Sequence, residues 1–194
     1  MMICRRSMNM YGPFIPVDNR RVFPVPDAEH DPATLRTFFH SLKPAGRSGR
    51  KPLLTGELNG KPCMVRRFHH GGVFRHLFKD RFWERVPRAV LELRLLEDLA
   101  GLGLPVVTPV MAWVEPMGWT YRQGLVTETR EDGVDLLAIK ELDRAMLVQL
   151  VEQLEAFFDA GLVHPDLNIK NILWVRGEEQ FCLLDFDKAK RRKQ

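Results

Sequence analysis

Residues 161–174 read GLVHPDLNIKNILW, and seven residues later the chain continues FCLLDFD. The first stretch sets His164, Asp166, Asn168, Lys170 and Asn171 between two apolar runs. Polar groups in such a place cost free energy unless they are hydrogen-bonded or used chemically. Upstream, Met146, Leu150, Leu154 and Phe157 recur at helical spacing, which predicts a long helix from about Leu142 to Ala160 that Gly161 stops. Downstream, NILWV, the turn RGEEQ and FCLLDFD predict a hairpin. Antiparallel strands joined by a tight turn bring their outer ends together, so Asp166, Asn171 and Asp185 are expected to converge on one point.

Composition narrows what surrounds that point. With 194 residues, 45% of them hydrophobic, the chain can bury one substantial core or two small lobes sharing one. It has no run of about 18 apolar residues to span a bilayer, and MMICRRSMNMYGPF lacks the apolar segment of a secretory leader, so export by that route is not expected. Cys4, Cys63 and Cys182 share no metal-ligand spacing and suit reduced thiols, with Cys63 and Cys182 in the core. The net charge of +4 comes from two clusters, eight Arg/Lys against three Asp/Glu over residues 66–94 and five against one in DKAKRRKQ. Such patches attract polyanions in general or serve as solvated faces. No recognition motif accompanies them, so nucleic acid is not an expected partner.

The rest of the chain supplies a β-rich first half. Residues 1–30, with Pro13, Pro16, Pro24 and Pro26, read as an irregular arm, and a short helix is predicted from Pro32 to Leu42. PLLTGELNGKPCMVRRF predicts two strands around Asn59-Gly60. Phe74, Leu77, Phe78 and Phe82 alternate with basic residues in an amphipathic stretch, followed by a helix from Pro87 with Val90, Leu93, Leu96 and Leu99 inward and Gly101 at its end. TPVMAWVE and RQGLVTET are predicted strands joined at Pro116-Met117-Gly118. The expected domains are an arm and short helix over 1–45, a first lobe over 46–132 and a second over 133–194.

Two carboxylates and a carboxamide oxygen at one point make a hard oxygen site suited to Mg²⁺, which keeps waters and shares its shell with substrate phosphates. His164-Pro165-Asp166-Leu167-Asn168-Ile169-Lys170-Asn171 followed by Asp185-Phe186 is the H-x-D-L-x-x-x-N and D-F pairing of protein kinases. Phosphoryl transfer also needs a cation on a strand and a carboxylate on the next helix to hold it. The strand CMVRRF offers Arg66 or Arg67, the helix offers Glu92, and strand alternation favours Arg66. Gly46 and Gly49 in a basic loop would let backbone amides approach a nucleotide. Three features depart from protein kinases: arginine stands for the usual lysine, Asp187 for the glycine after Asp-Phe, and seven residues follow Asp187. No activation segment is expected.

VRRFHHGG, ELRLLEDLAGLGLPVVTPV, GLVHPDLNIKNIL and LLDFDKAKRR together resemble a bacterial family, the lipopolysaccharide core kinases, most closely the 3-deoxy-D-manno-octulosonic acid (Kdo) kinases, over roughly residues 46–190. The resemblance implies an α+β fold, a compact bilobal protein-kinase-like fold with a small β-rich N-lobe and a reduced helical C-lobe. It implies transfer of a phosphoryl group from ATP, with Mg²⁺, to a hydroxyl of Kdo on a lipid A precursor at the cytoplasmic face of the inner membrane. Carried over residue by residue, Asp166 is the base, Asn171 and Asp185 are metal ligands, Arg66 contacts phosphate with Glu92 as its partner, and Lys170 joins the nucleotide site. The basic stretch from Arg75 to Arg88 is expected to serve the lipid-linked acceptor, or an anionic membrane surface. From the residues alone, a small-molecule phosphotransferase, an atypical protein kinase and a catalytically silent nucleotide-binding module stay open.

Overall fold

Asn59 and Gly60 form the expected two-residue turn, with Leu58 paired to Lys61 across it. A computed structural model describes residues 7–9, 11–26, 28, 30–46, 53–69 and 80–192. The chain divides into two units, residues 1–93 with 109–129, and residues 94–108 with 130–194.

Among the described residues of the first unit, eight strands form one antiparallel sheet. They are β1 (Ser7–Asn9), β2 (Gly12–Val17), β3 (Arg20–Pro24), β4 (Lys43–Pro44), β5 (Leu53–Leu58), β6 (Lys61–Arg67), β7 (Pro109–Met117) and β8 (Thr120–Glu128). Their order is β1-β2-β3-β7-β8-β6-β5-β4. Helix α1 (Pro32–Ser41) is capped by Asp31, whose side chain accepts from Thr34 N at 3.0 Å, and it carries proline in its first turn as expected. Leu35 and Phe38 of α1 pack with Ile15, Val17, Val22, Cys63, Val65, Trp113 and Val126 from the sheet. Burial pushes the Cys63 thiol up to about 11, in keeping with an unreactive core residue.

The N-terminal stretch corrects the sequence reading. Residues 12–24 are a hairpin extending the sheet, with Ile15 paired to Val22 and Val17 to Arg20, and not an irregular arm. The prolines are accommodated by position. Among the described residues β1 reaches as far as Phe14 along β2, so Pro16 has no described partner on that side, and Pro24 is the last residue of β3. Ile15 and Val17 point into the core while Pro16 is exposed, an alternation that the proline count masked.

Helix α2 (Arg88–Gly101) follows Pro87 as expected, with Val90, Leu93, Leu96 and Leu99 buried. Its closing bonds come later than Gly101: Leu104 N donates to Leu99 O at 3.1 Å and Gly103 N to Ala100 O at 2.9 Å. The aromatic amphipathic stretch expected after residue 73 lies outside the described residues as far as 79. Beyond it the chain is extended, and Phe82 and Tyr121 exchange backbone hydrogen bonds of 2.8 and 2.9 Å.

The second unit is built on β9 (Gly133–Asp135), α3 (Arg144–Asp159), β10 (Leu162–Val163), β11 (Ile172–Val175), β12 (Gln180–Leu183) and β13 (Lys190–Arg191). β12, β11 and β9 form one sheet, and β10 pairs with β13. Asp143 caps α3 by accepting from Met146 N at 2.8 Å. Met146 and Leu150 pack on Leu136, Ile172 and Phe181, and the Gln153 side chain accepts from Phe181 N at 3.0 Å. The inward face is the expected one, but Leu147, Val148, Val151 and Phe158 on α3 are exposed. Cys182 is buried beside Leu173 and Val175, and burial pushes its thiol up to about 12.

Gly161 joins α3 to β10 with φ +81°, and a Cβ there would meet the Arg192 carbonyl oxygen at 2.4 Å. Gly161→Ala combines a left-handed conformation with a backbone clash, so it is expected to cost about 2 kcal/mol, read as a lower urea midpoint. An unchanged midpoint would mean that residues 190–192 are not docked against Gly161.

Candidate active site

Residues 164–171 connect β10 to β11, and residues 184–189 connect β12 to β13. β11 pairs with β12 from Ile172↔Leu183 to Val175↔Gln180, and β10 pairs with β13 through Leu162↔Arg191 and Val163↔Lys190. Each connecting segment therefore leaves one antiparallel ladder and enters the other, which lays the two side by side. Leu184 N donates to Asn171 O at 2.8 Å, continuing the β11–β12 ladder into the loops. The His164 and Phe186 rings sit 5.2 Å apart, tilted by 55°. Neither His164 ring nitrogen has a hydrogen-bond partner among the described residues, so this link between the loops is ring packing.

The first loop is organised around the backbone of Asp166. Its carbonyl accepts from the side-chain amides of Asn168 at 2.7 Å and Asn171 at 3.0 Å. Asn168 Oδ1 in turn accepts from Lys170 N at 3.0 Å and caps the short helical turn Ile169–Asn171. Asn168 thus spends both ends of its side chain on the loop, a structural part that only its place before the turn would have signalled. The bond from Asn171 Nδ2 fixes that carboxamide so that Oδ1 is the atom left for a cation. Lys170 is exposed on the turn.

The second loop carries Asp185 with φ 58°, a left-handed conformation that costs a non-glycine residue energy and often marks a working position. The turn that follows is closed by Ala189 N donating to Phe186 O at 3.0 Å. Lys188, which the sequence reading did not single out, reaches across so that Nζ lies 2.9 Å from Asp166 Oδ2. The loops that carry Asp166, Asn171 and Asp185 are therefore laid side by side. Their oxygen donors fit Mg²⁺: two protein ligands leave room for phosphate oxygens and water, as that ion prefers. Among the described residues no group of three or more His, Cys, Asp or Glu gathers as a self-sufficient metal cage.

In the first unit, alternation along β6 puts Cys63 and Val65 in the α1-facing core and Arg66 on the other face. There Arg66 pairs with Glu92 of α2, and its guanidinium lies 4.7 Å from the centroid of Phe68. The side chains are 17% and 2% exposed, so this is a buried ion pair. α2 is oriented nearby by Ala89 N, which donates to the buried Gln123 side chain at 2.9 Å. Arg67 is exposed, which resolves the choice between the two arginines for a pairing with Glu92. Gly46 follows β4 on the surface, where a Cβ would meet open space, so no close packing requires glycine there. Gly49 lies outside the described residues.

Removing one partner of a buried pair strands the other charge at a cost of about 3–5 kcal/mol, whereas replacing both with apolar groups is close to neutral. Arg66→Met is accordingly expected to lower stability by about 3 kcal/mol, and adding Glu92→Leu to recover most of it. Chemical denaturation of the wild type, both single variants and the double variant gives the cycle. Strictly additive losses would show that the two residues do not interact.

Comparisons with known proteins agree with this geometry. The sequence model of the Lipopolysaccharide kinase (Kdo/WaaP) family matches residues 44–194. A 3-deoxy-D-manno-octulosonic acid kinase of Vibrio parahaemolyticus is 30% identical over 176 residues, covering 87% of this chain and 71% of that protein. The namesake from Haemophilus influenzae (strain 86-028NP) is 33% identical over 154 residues, covering 74% of this chain and 64% of its own length. One from Xylella fastidiosa is 34% identical over 155 residues, covering 75% and 60%. The chain thus spans about two thirds of the length of these curated relatives. Among solved structures, WaaP in complex with acyl carrier protein superposes with a TM-score of 0.52 at 18% identity, covering 79% of this chain and 64% of that one, a likeness of fold. On the family match and the fold together, the chain belongs to the lipopolysaccharide kinase (Kdo/WaaP) family of phosphotransferases and has their α+β kinase-like fold.

Proposed function

We propose that this protein transfers the γ-phosphoryl group of ATP to a hydroxyl of Kdo on a lipid A precursor. The observation that supports the reading is the pair of ladders that lays the loop of Asp166 and Asn171 beside the loop of Asp185, in a chain whose relatives are named as Kdo kinases. Asp166 orients the acceptor hydroxyl and accepts its proton, with its carboxylate 57% exposed and so open to a substrate. Asn171 Oδ1 and Asp185 hold Mg²⁺, which when bound neutralises charge on the nucleotide phosphates. Arg66, fixed by Glu92, supplies a cation already oriented for phosphate, and Lys170 a second, mobile one.

An acceptor anchored in lipid implies work at a membrane face, which for this family reading is the cytoplasmic face of the bacterial inner membrane. Arg81 and Arg85 are exposed and belong to the basic stretch that begins at Arg75. They suit the phosphates and carboxylates of such an acceptor, and an anionic surface around it.

The test is purified protein with radiolabelled ATP, Mg²⁺ and Kdo-bearing lipid A precursor, with mass analysis of the product. Label entering a small hydroxylated compound or a protein instead would redirect the reading to another phosphotransferase. Asp166→Asn is expected to reduce turnover by about two to four orders of magnitude while leaving Mg²⁺-nucleotide binding nearly intact, and Asp185→Asn to weaken both. Retention of most activity in Asp166→Asn would remove Asp166 from the role of base. Replacing Lys79, Arg81 and Arg85 together with glutamine is expected to raise the acceptor KM, most at low salt, where screening beyond about 8 Å is relaxed, with little change in the KM for ATP. An equal rise for both substrates would make the stretch an ordinary solvated face.

A further inference from the structure

One cation beside the candidate base has no part in the scheme above. Lys188 follows Asp185 by three residues, in a turn held at both ends. Leu184 N is bonded to Asn171 O on one side, Lys190 pairs with Val163 on the other, and Ala189 N closes the turn on Phe186 O. The backbone therefore has little freedom, and the side chain delivers its ammonium to Asp166 Oδ2 at 2.9 Å. We propose that Lys188 is a catalytic residue that binds the γ-phosphoryl group during transfer, and that its contact with Asp166 is its resting position.

The argument is one of reach and exchange. A base that takes the acceptor's proton sits within about 2.6–3.2 Å of the attacking oxygen. An ammonium one further hydrogen bond away reaches the oxygens of the phosphoryl group under attack by rotating its own side chain. Leaving Asp166 costs little, because the two side chains are 60% and 57% exposed and an exposed pair contributes only about 0–1 kcal/mol. A phosphoryl group offers more negative charge than the carboxylate, so the exchange runs toward phosphate. Asn168, two residues after Asp166, is occupied by the backbone of Asp166 and by Lys170 N.

The step balances without a change in the lysine. The acceptor oxygen bonds to the γ-phosphorus and its proton passes to Asp166. The bond from phosphorus to the β,γ-bridging oxygen breaks, with its electron pair leaving on ADP. Lys188 stays protonated throughout and offsets charge on the oxygens of the group in flight. The proposal rests on the proposed function for ATP as donor and Asp166 as base, and not on the identity of the acceptor.

The experiment separates the role of Lys188 from that identity. Calorimetry with Mg²⁺ compares the affinity of a β,γ-imido ATP analogue with that of ADP in the wild type, Lys188→Ala and Lys188→Arg. Lys188→Ala is expected to lose about tenfold in preference for the triphosphate with ADP binding nearly unchanged, and Lys188→Arg to keep most of that preference. In turnover, Lys188→Ala is expected to lose about 100-fold in kcat with a small change in the KM for ATP. Slow hydrolysis of ATP by water, which needs no acceptor, should fall with it. An unchanged triphosphate preference in Lys188→Ala overturns the proposal whatever the rate does, and a faster variant would show that the lysine only shields the base. Failure of the wild type to phosphorylate the Kdo acceptor would sink the acceptor reading alone, since the nucleotide comparison still decides the role of Lys188.

Discussion

The candidate site depends on two short antiparallel ladders used as a frame. β11 and β12 close one side of the loop pair, and β10 and β13 close the other, so the segments carrying Asp166 and Asp185 are each tethered at both ends. Loop ordering costs roughly 1–2 kcal/mol per residue in backbone entropy, and a loop pinned at one end would spread its polar side chains over many positions. The frame confines that freedom to a few residues. Within it the internal bonds become effective: two carboxamides on the carbonyl of Asp166, the ring packing of His164 on Phe186, and the bond from Leu184 N to Asn171 O.

The frame rests in turn on α3. Gln153 and Gln149 reach from that helix to the backbone of Phe181 and Glu179, at 3.0 and 2.7 Å, while Met146 and Leu150 cover the apolar side of the hairpin. Backbone groups at a strand start and a tight turn are thus satisfied by side chains of the packing helix. Gly161 completes the arrangement, since the residue between α3 and β10 must turn left-handed and also admit the Arg192 carbonyl. Positioning the loops therefore depends on residues from Gln149 to Arg192, with both ladders and the helix as one cooperative piece.

How much of this the sequence showed depends on how local each signal is. The Asn59-Gly60 hairpin, helices α1 and α3 and the hairpin that lays the loops of Asp166 and Asp185 side by side rest on neighbours in sequence or on one tight turn, and all were legible. The choice of Arg66 over Arg67 was legible too, because Cys63 and Val65 set the parity of β6. The hairpin of residues 12–24 was missed because its prolines masked the alternation, and the place of β3 in the sheet is decided by a nonlocal pairing with β7. β13 was hidden for a different reason: Lys190 and Arg191 read as part of a charge run, and two residues are too few to show alternation. The reach of Lys188 to Asp166 depends on that hidden pairing, which tethers the end of its turn.

The ion pair of Arg66 with Glu92 in the first unit and that of Lys188 with Asp166 in the second are built for opposite duties, and their exposure says which is which. Arg66 and Glu92, at 17% and 2%, have already given up their water, so separating them would leave a charge unsolvated at a cost of several kcal/mol. That pair acts as a fixed element, and the stacking of Arg66 against Phe68 holds the guanidinium further. Lys188 and Asp166, at 60% and 57%, keep most of their hydration and can part for a fraction of that energy. Had the exposures been reversed, Asp166 would be locked to its lysine and the strand cation would wander. A rigid cation holds a charged ligand in one geometry, whereas a yielding one can follow charge that moves.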